Sequence, residues 1–309
     1  MRVLIRSIAT LVSGDIHRPI LDADSIQIEG GRIVAVGKGL GDEADTVIDA
    51  RGSTVIPGLI DSHCHPVFGD FTPRQRTVDF IDSGLHGGLT TMISAGEVHL
   101  PGRPKDVVGL KALAIVAVKA YANLRPAGVK VHGGAPILEL GMVEEDFAEM
   151  ARAGVRLVGE IGLGSVRTGK DAAPMVKWAK QHGMTVTIHT GGPSIAGSSP
   201  ISAEVVLEAD PHVVGHINGG TTSMSEREID ALVATGMALE IVHPWRGRRR
   251  RGRFTASSSA TTRPRAPGSC RSASSASSPT WPPWAGCRPR RRSAWRRATR
   301  RGSTACRWA

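Results

Sequence analysis

The sequence has no apolar run of the roughly 20 residues that a membrane-spanning helix needs. Its N-terminal stretch, MRVLIRSIATLVSGD, also lacks the long apolar core and the cleavage site of a secretory signal peptide. We therefore expect a cytoplasmic protein that has no membrane partner.

After residue 245 the sequence has no Asp, Glu or Lys and none of the aliphatic residues Leu, Ile, Val and Met. Such a segment cannot offset its conformational entropy by burying apolar side chains, so we expect it to be disordered. Eighteen of the 39 basic residues are arginines in this segment, which leaves 21 basic and 28 acidic residues before it. The formal net charge of +11 therefore comes from the tail, and the first 245 residues are acidic.

Three interpretations of this tail compete: a basic tail that binds nucleic acid, an unusual natural linker, and a GC-rich gene translated out of frame. Codons for residues 256–269 can be chosen so that reading from one base earlier gives RVIFGNDAPSGTGL, a strand-like run followed by turn residues. We therefore interpret residues 244–309 as a frameshift product that binds no nucleic acid. In the alternative frame an aspartate falls across the codons of Thr261 and Thr262.

Before the tail, the pattern of apolar residues changes once. Residues 1–53 hold short strand-like runs between turn signals and predict a small β unit. From residue 54 to 243, seven strand-like runs alternate with helical patterns, which is typical of parallel βα units. With RVIF as an eighth strand, the count fits a (β/α)8 barrel. The chain as written would leave that barrel incomplete after strand seven.

Side chains that commonly bind metals follow four of these strands. His63 and His65 end strand one, and because side chains in a strand alternate, both point to the same side. Glu160, His189 and His216 belong to the ends of strands four, five and six. Since the strands of such a barrel place their carboxyl ends at one face, these residues predict a metal site there.

Each candidate also has a simpler interpretation. A single histidine at a strand end is more often structural than a ligand, and Glu160 could orient a histidine instead of binding metal. Cys64 alternates to the opposite side of the strand, so we expect it to pack in the core. For His99, Arg103 and Lys105 the sequence leaves two interpretations open, contact with a substrate or an ordinary place in a solvated loop.

The stretch VIDARGSTVIPGLIDSHCHP resembles the entry to the barrel of the amidohydrolase superfamily. The segments VKVHGGAPIL, VGEIGLG, HTGGPSIAGSS and HINGG resemble the enamidases, a family of cyclic amide hydrolases within it. The resemblance covers about residues 1–243 and implies that residues 1–53 are half of a β-sandwich. It also implies that five residues bind two divalent ions, zinc or zinc plus iron: His63, His65, Glu160, His189 and His216.

This resemblance implies hydrolysis of a cyclic amide such as 6-oxo-1,4,5,6-tetrahydronicotinate, whose carboxylate would give His99, Arg103 or Lys105 a role in binding. Another lactam, a cyclic imide or an acyl-amino acid remains an alternative, as does an inactive remnant. The aspartate that the family carries on strand eight, a metal ligand and the usual general base, is absent from the chain as written. An intact protein would be expected to form a homo-oligomer.

Overall fold

The computed structural model describes residues 1–242 except residues 42, 67–75, 97–99, 101, 194, 196 and 220–222. His99 and the tail, residues 244–309, therefore lie outside the described residues. Among the described helices, none combines the length and the apolar character that crossing a membrane requires.

The N-terminal part consists of short strands in two sheets. The first sheet has the order β5-β4-β1-β6 and the second β3-β2-β7. A small core of Ile8, Leu11 and Ile26 holds this part together. The seven strands are β1 (Arg2–Arg6), β2 (Thr10–Val12), β3 (Ile20–Leu21), β4 (Ser25–Glu29), β5 (Arg32–Gly37), β6 (Thr46–Asp49) and β7 (Thr54–Val55).

The following part alternates strands and helices, as the sequence pattern predicts. Its strands are β8 (Leu59–Cys64), β9 (Leu89–Ser94), β10 (Lys130–His132), β11 (Leu157–Ile161), β12 (Thr185–Ile188), β13 (Val213–Val214) and β14 (Ala238–Leu239). Its helices are α1 (Thr77–His86), α2 (Val107–Asn123), α3 (Glu144–Arg152), α4 (Gly169–Gln181), α5 (Ala203–Ala209) and α6 (Glu226–Val233).

Side chains before several helices fix where those helices begin. Asp106 accepts a hydrogen bond from the backbone N–H of Gly109 at the start of α2. Ser225 and Glu228 form a capping box at the start of α6. Such caps satisfy backbone N–H groups that have no partner within the helix, so each loop ends at a defined residue.

All seven strands of this part run parallel, in two sheets of order β10-β9-β8 and β11-β12-β13-β14. Two backbone hydrogen bonds connect the sheets, from Gly159 N to Pro136 O and from Glu160 N to Ala95 O. A Cβ atom at Gly159 would lie 2.8 Å from Gly96 Cα, so glycine permits this close approach. The strands are therefore aligned with their carboxyl ends at one face.

Strands β8 and β14 stand at the outer edges of these sheets within the described residues. Leu59 and Ile60 in β8 are 42% and 56% exposed. In the N-terminal sheet Val34 and Ile48 are similarly exposed. Apolar side chains at a sheet edge are a template for association, so these edges bear on the behaviour of the isolated chain.

Candidate metal centre

The structure brings the five predicted ligand residues together at the carboxyl ends of the strands. His63 lies within β8 and Glu160 within β11, whereas His189 and His216 follow β12 and β13. The ring centroid of His63 is 5.3 Å from those of both His65 and His216, and the His189 and His216 centroids are 4.7 Å apart. We call these five side chains the histidine cluster.

Glu160 lies at the centre of the histidine cluster. Its Oε1 is 3.2 Å from His63 Nε2 and 2.7 Å from His216 Nε2. The second oxygen, Oε2, is 3.3 Å from His65 Nε2. One carboxylate therefore faces histidines on two sides, an arrangement that suits a ligand shared between two ions.

Hydrogen bonds on the outer nitrogen of two rings fix which nitrogen can bind a metal. His65 Nδ1 lies 2.9 Å from Gly96 O, and His189 Nε2 lies 2.8 Å from Gly192 O. A carbonyl oxygen only accepts, so these nitrogens carry a proton, and in the neutral ring the opposite nitrogen keeps its lone pair. In metal sites, histidine ligands are commonly held in this way.

His63 is anchored by Glu240, a residue that sequence reasoning missed. Glu240 directly follows β14, and its Oε2 contacts His63 Nδ1. Its carboxylate also accepts from Ser62 Oγ at 3.0 Å and from the backbone N–H of His216 at 3.3 Å. The available signal was a single acidic residue in the apolar run MALEIV. Glu160 is likewise the single acidic residue in the run VGEIGLG.

The electrostatics of the site favour a cation. Burial alone would raise the pKa of Glu160, but the neighbouring histidines, His63 foremost, hold that pKa well below its usual range. Burial alone would lower the pKa of His63, but the carboxylates of Glu160 and Glu240 outweigh burial and raise that pKa to about 10. Two buried carboxylates thus remain ionised and require positive charge beside them.

The backbone around His216 allows the side chains to approach closely. A Cβ atom at Gly215 would lie 3.2 Å from the His63 ring and 3.3 Å from Glu160 Oε1. His216 itself has a φ of 33°, in the left-handed region that non-glycine residues rarely adopt. This backbone is strained in order to direct His216 into the cluster.

The donor set fits a divalent metal. One atom from each of His63, Glu160 and His216 can be chosen so that all three lie within 4.8 Å of one another. The buried Nδ1 of His216 has no hydrogen-bond partner among the described residues. Imidazole and carboxylate are ligands that zinc and related ions prefer. Cys64 does not join them, because it packs in an apolar cluster with Ile81, Leu89 and Met92.

Two of the expected substrate-binding residues, Arg103 and Lys105, are described, and both lie outside the histidine cluster. The Arg103 guanidinium is bound to Glu139, with Nη2 3.0 Å from Oε1. Lys105 lines the same cavity as this pair and is exposed.

No model of a protein family matches the sequence. The chain is 56% identical over 247 residues to the enamidase of Eubacterium barkeri, which covers 78% of this chain and 64% of that enzyme. It is 26% identical over 274 residues to an imidazolonepropionase of Geobacillus thermodenitrificans, over 71% of this chain and 64% of the relative. The chain therefore spans just under two thirds of the length of these relatives.

Solved structures give the same result for the fold. The crystal structure of enamidase, described as a member of the amidohydrolase superfamily, superposes with a TM-score of 0.74 at 56% identity, over 78% of this chain and 64% of that one. A D-hydantoinase structure superposes with a TM-score of 0.57 at 16% identity, over 78% and 57%. The expected α/β barrel class is confirmed.

Proposed function

We propose that this chain is a member of the amidohydrolase superfamily and carries the metal-binding part of a hydrolase that opens a cyclic amide at its C–N bond. The substrate we propose is 6-oxo-1,4,5,6-tetrahydronicotinate. One water would open its amide to an enamine, and a second water would hydrolyse the enamine to 2-formylglutarate and ammonia. The observation that carries the proposal is the convergence of three histidine rings on the buried carboxylate of Glu160. The 56% identity to an enamidase supports this choice of substrate class.

We assign the binding of two divalent ions, zinc or zinc plus iron, to the residues of the histidine cluster: His63, His65, Glu160, His189 and His216. A divalent metal held there would lower the pKa of a water molecule towards neutrality and polarise the amide carbonyl. Glu160, with its two oxygens facing different histidines, would be the shared ligand. Glu240 would keep the His63 ring oriented.

A proton acceptor for the attacking water is missing from this assignment. Asp61 is buried nearby, and its pKa is raised to about 6 by burial, but its carboxylate accepts the backbone N–H of His63. We propose that this proton is accepted by the aspartate that the alternative reading frame encodes across the codons of Thr261 and Thr262. The 309-residue chain would accordingly be a poor catalyst, and the frame-restored protein a competent one.

The test compares both forms after loading with zinc. Ring opening is measured as loss of the parent compound by chromatography, for 6-oxo-1,4,5,6-tetrahydronicotinate and for a panel of a hydantoin, dihydroorotate and a simple δ-lactam. Ammonia release is measured in addition for the first compound, because ring opening of the other three leaves the nitrogen in the product. We expect turnover of the first substrate by the frame-restored protein and little by the 309-residue chain. Preference for a hydantoin or dihydroorotate would replace the substrate assignment, and no hydrolysis of any cyclic amide by the restored form would contradict the function.

A further inference from the structure

A second cavity of about 290 Å³ lies at the same end of the strands as the histidine cluster. Arg103 and Lys105 reach it from the loop after β9, Glu139 from the loop after β10, and Ser165 and Arg167 from the loop after β11. Its volume is near the lower end of the roughly 300–1,000 Å³ typical of small-molecule sites. We call it the cationic cavity.

Short connections place the cationic cavity beside the histidine cluster. Leu163, which lines the cavity, is three residues from Glu160, so their Cα atoms are at most about 11 Å apart. The loop after β12, which follows His189, is held to the same wall by a hydrogen bond from Ser199 N to Gly162 O. The ends of β11 and β12 and the loops after them therefore contribute to both sites.

One wall of the cavity is a neutral ion pair. Glu139 Oε1 is bound to the Arg103 guanidinium at 3.0 Å, and Oε2 accepts from the backbone N–H of Ser165 at 2.8 Å. Both side chains are nearly buried, at 12% and 6% exposure. Glu139 therefore neutralises the charge of Arg103, so Arg103 is not free to bind a substrate anion. The same contacts hold three loops together.

Two further cations remain uncompensated. Lys105 and Arg167 are exposed, and within the described part of the chain no carboxylate forms an ion pair with either. Arg167 Nε donates to Gly164 O at 3.3 Å, which leaves the two terminal nitrogens of the guanidinium available. The cavity thus has two excess positive charges on side chains from different loops.

We propose that Lys105 and Arg167 form the subsite that binds the carboxylate of the substrate, while the buried Arg103–Glu139 pair shapes its wall. A guanidinium can bind a carboxylate through two parallel hydrogen bonds, and an ammonium adds a point charge. The inference rests on the proposed function for the identity of the ligand, a small ring carboxylate whose amide would face the histidine cluster.

Nicotinate serves as the probe, with nicotinamide as its uncharged counterpart and inorganic phosphate as a competing anion. Calorimetric titration into the zinc-loaded 309-residue chain compares the wild type with Lys105→Gln, Arg167→Gln and the control Lys177→Gln, an exposed lysine on α4. We expect nicotinate to bind at least about tenfold more tightly than nicotinamide, and each cavity variant to lose about tenfold or more. The control should bind as the wild type does.

Lys105→Arg keeps the charge and should restore most of the affinity, which a merely misfolded variant could not do. The proposal is overturned if the wild type does not bind nicotinate, if both cavity variants bind it as the wild type does, or if phosphate binds more tightly. Nicotinate binding that depends on Lys105 and Arg167, in a frame-restored protein that hydrolyses no cyclic amide, would uphold the subsite and reject the proposed reaction.

Discussion

Glu240 and His63 are in contact although 177 residues of sequence separate them, and the contact joins the two outer strands β14 and β8. Within the described residues no strand lies between these two, so side chains alone connect the edges at this face. The carboxylate holds the His63 ring with Nε2 directed at Glu160. The orientation of one proposed ligand thus depends on the last described strand.

Glu240→Gln should weaken metal binding without unfolding the chain. The amide keeps the shape of the carboxylate but loses the charge that orients and polarises His63. Loss of such a partner typically costs about 10- to 100-fold in metal affinity. Competition with a chromophoric zinc chelator measures this, with Glu204→Gln on the exposed face of α5 as the control. Equal affinities in the two variants would show that Glu240 has no such role.

His63→Ala should remove most of the bound metal and abolish turnover by the frame-restored protein, because it deletes a ligand. The matched control is His86→Ala, since His86 lies on the surface of α1 and its side chain is 81% exposed. Elemental analysis after dialysis gives metal content per chain. If both variants retain wild-type metal and activity, the ligand assignment is wrong.

Gly215→Ala should destabilise the site through crowding, since the new methyl group would press on Ile188 O at 2.9 Å and on the His63 ring. Overpacking of this kind costs about 1–3 kcal/mol, which lowers the melting temperature by several degrees. Gly236→Ala is the control, because a Cβ atom there meets no atom within 4 Å. Thermal denaturation that shifts equally in both variants would contradict the packing argument.

The sequence was sufficient to predict the parallel βα arrangement and the convergence of the strand-end side chains. His63 and His65 share a side because strand side chains alternate, and Glu160, His189 and His216 follow from the rule that parallel strands end at one face. Strand lengths were less predictable: the run HVVGHINGG suggests a longer strand than the observed Val213–Val214. His216 leaves the strand there because its backbone turns into the left-handed region.

Contacts between distant loops could not be predicted in this way. In the sequence, Glu240 is a single acidic residue in an apolar run. No local pattern indicates that its side chain meets His63 at the end of β8. Arg103 looked available for a substrate because its partner Glu139 is 36 residues further along the chain. Both relationships depend on how the strands and loops are placed in three dimensions, which single-strand patterns do not encode.

The exposed edge of β8 should make the 309-residue chain self-associate more than the frame-restored protein, whose additional strand would cover it. Ile60→Lys should increase the monomer fraction of the 309-residue chain, because a charge on an edge strand opposes pairing. Val108→Lys, at an exposed apolar position on α2, is the control. Size-exclusion chromatography with light scattering measures the monomer fraction. An equal effect of both substitutions would exclude the edge of β8 as the cause of self-association.

The most direct test of the proposed centre is X-ray absorption at the zinc edge of the zinc-loaded protein. A site built from the histidine cluster predicts a first shell of nitrogen and oxygen at about 2.0–2.2 Å, with the outer-shell scattering of imidazole rings, and Glu160→Gln should diminish this signal. A sulfur shell at about 2.3 Å, which would implicate Cys64, or a spectrum without imidazole scattering, would contradict the account.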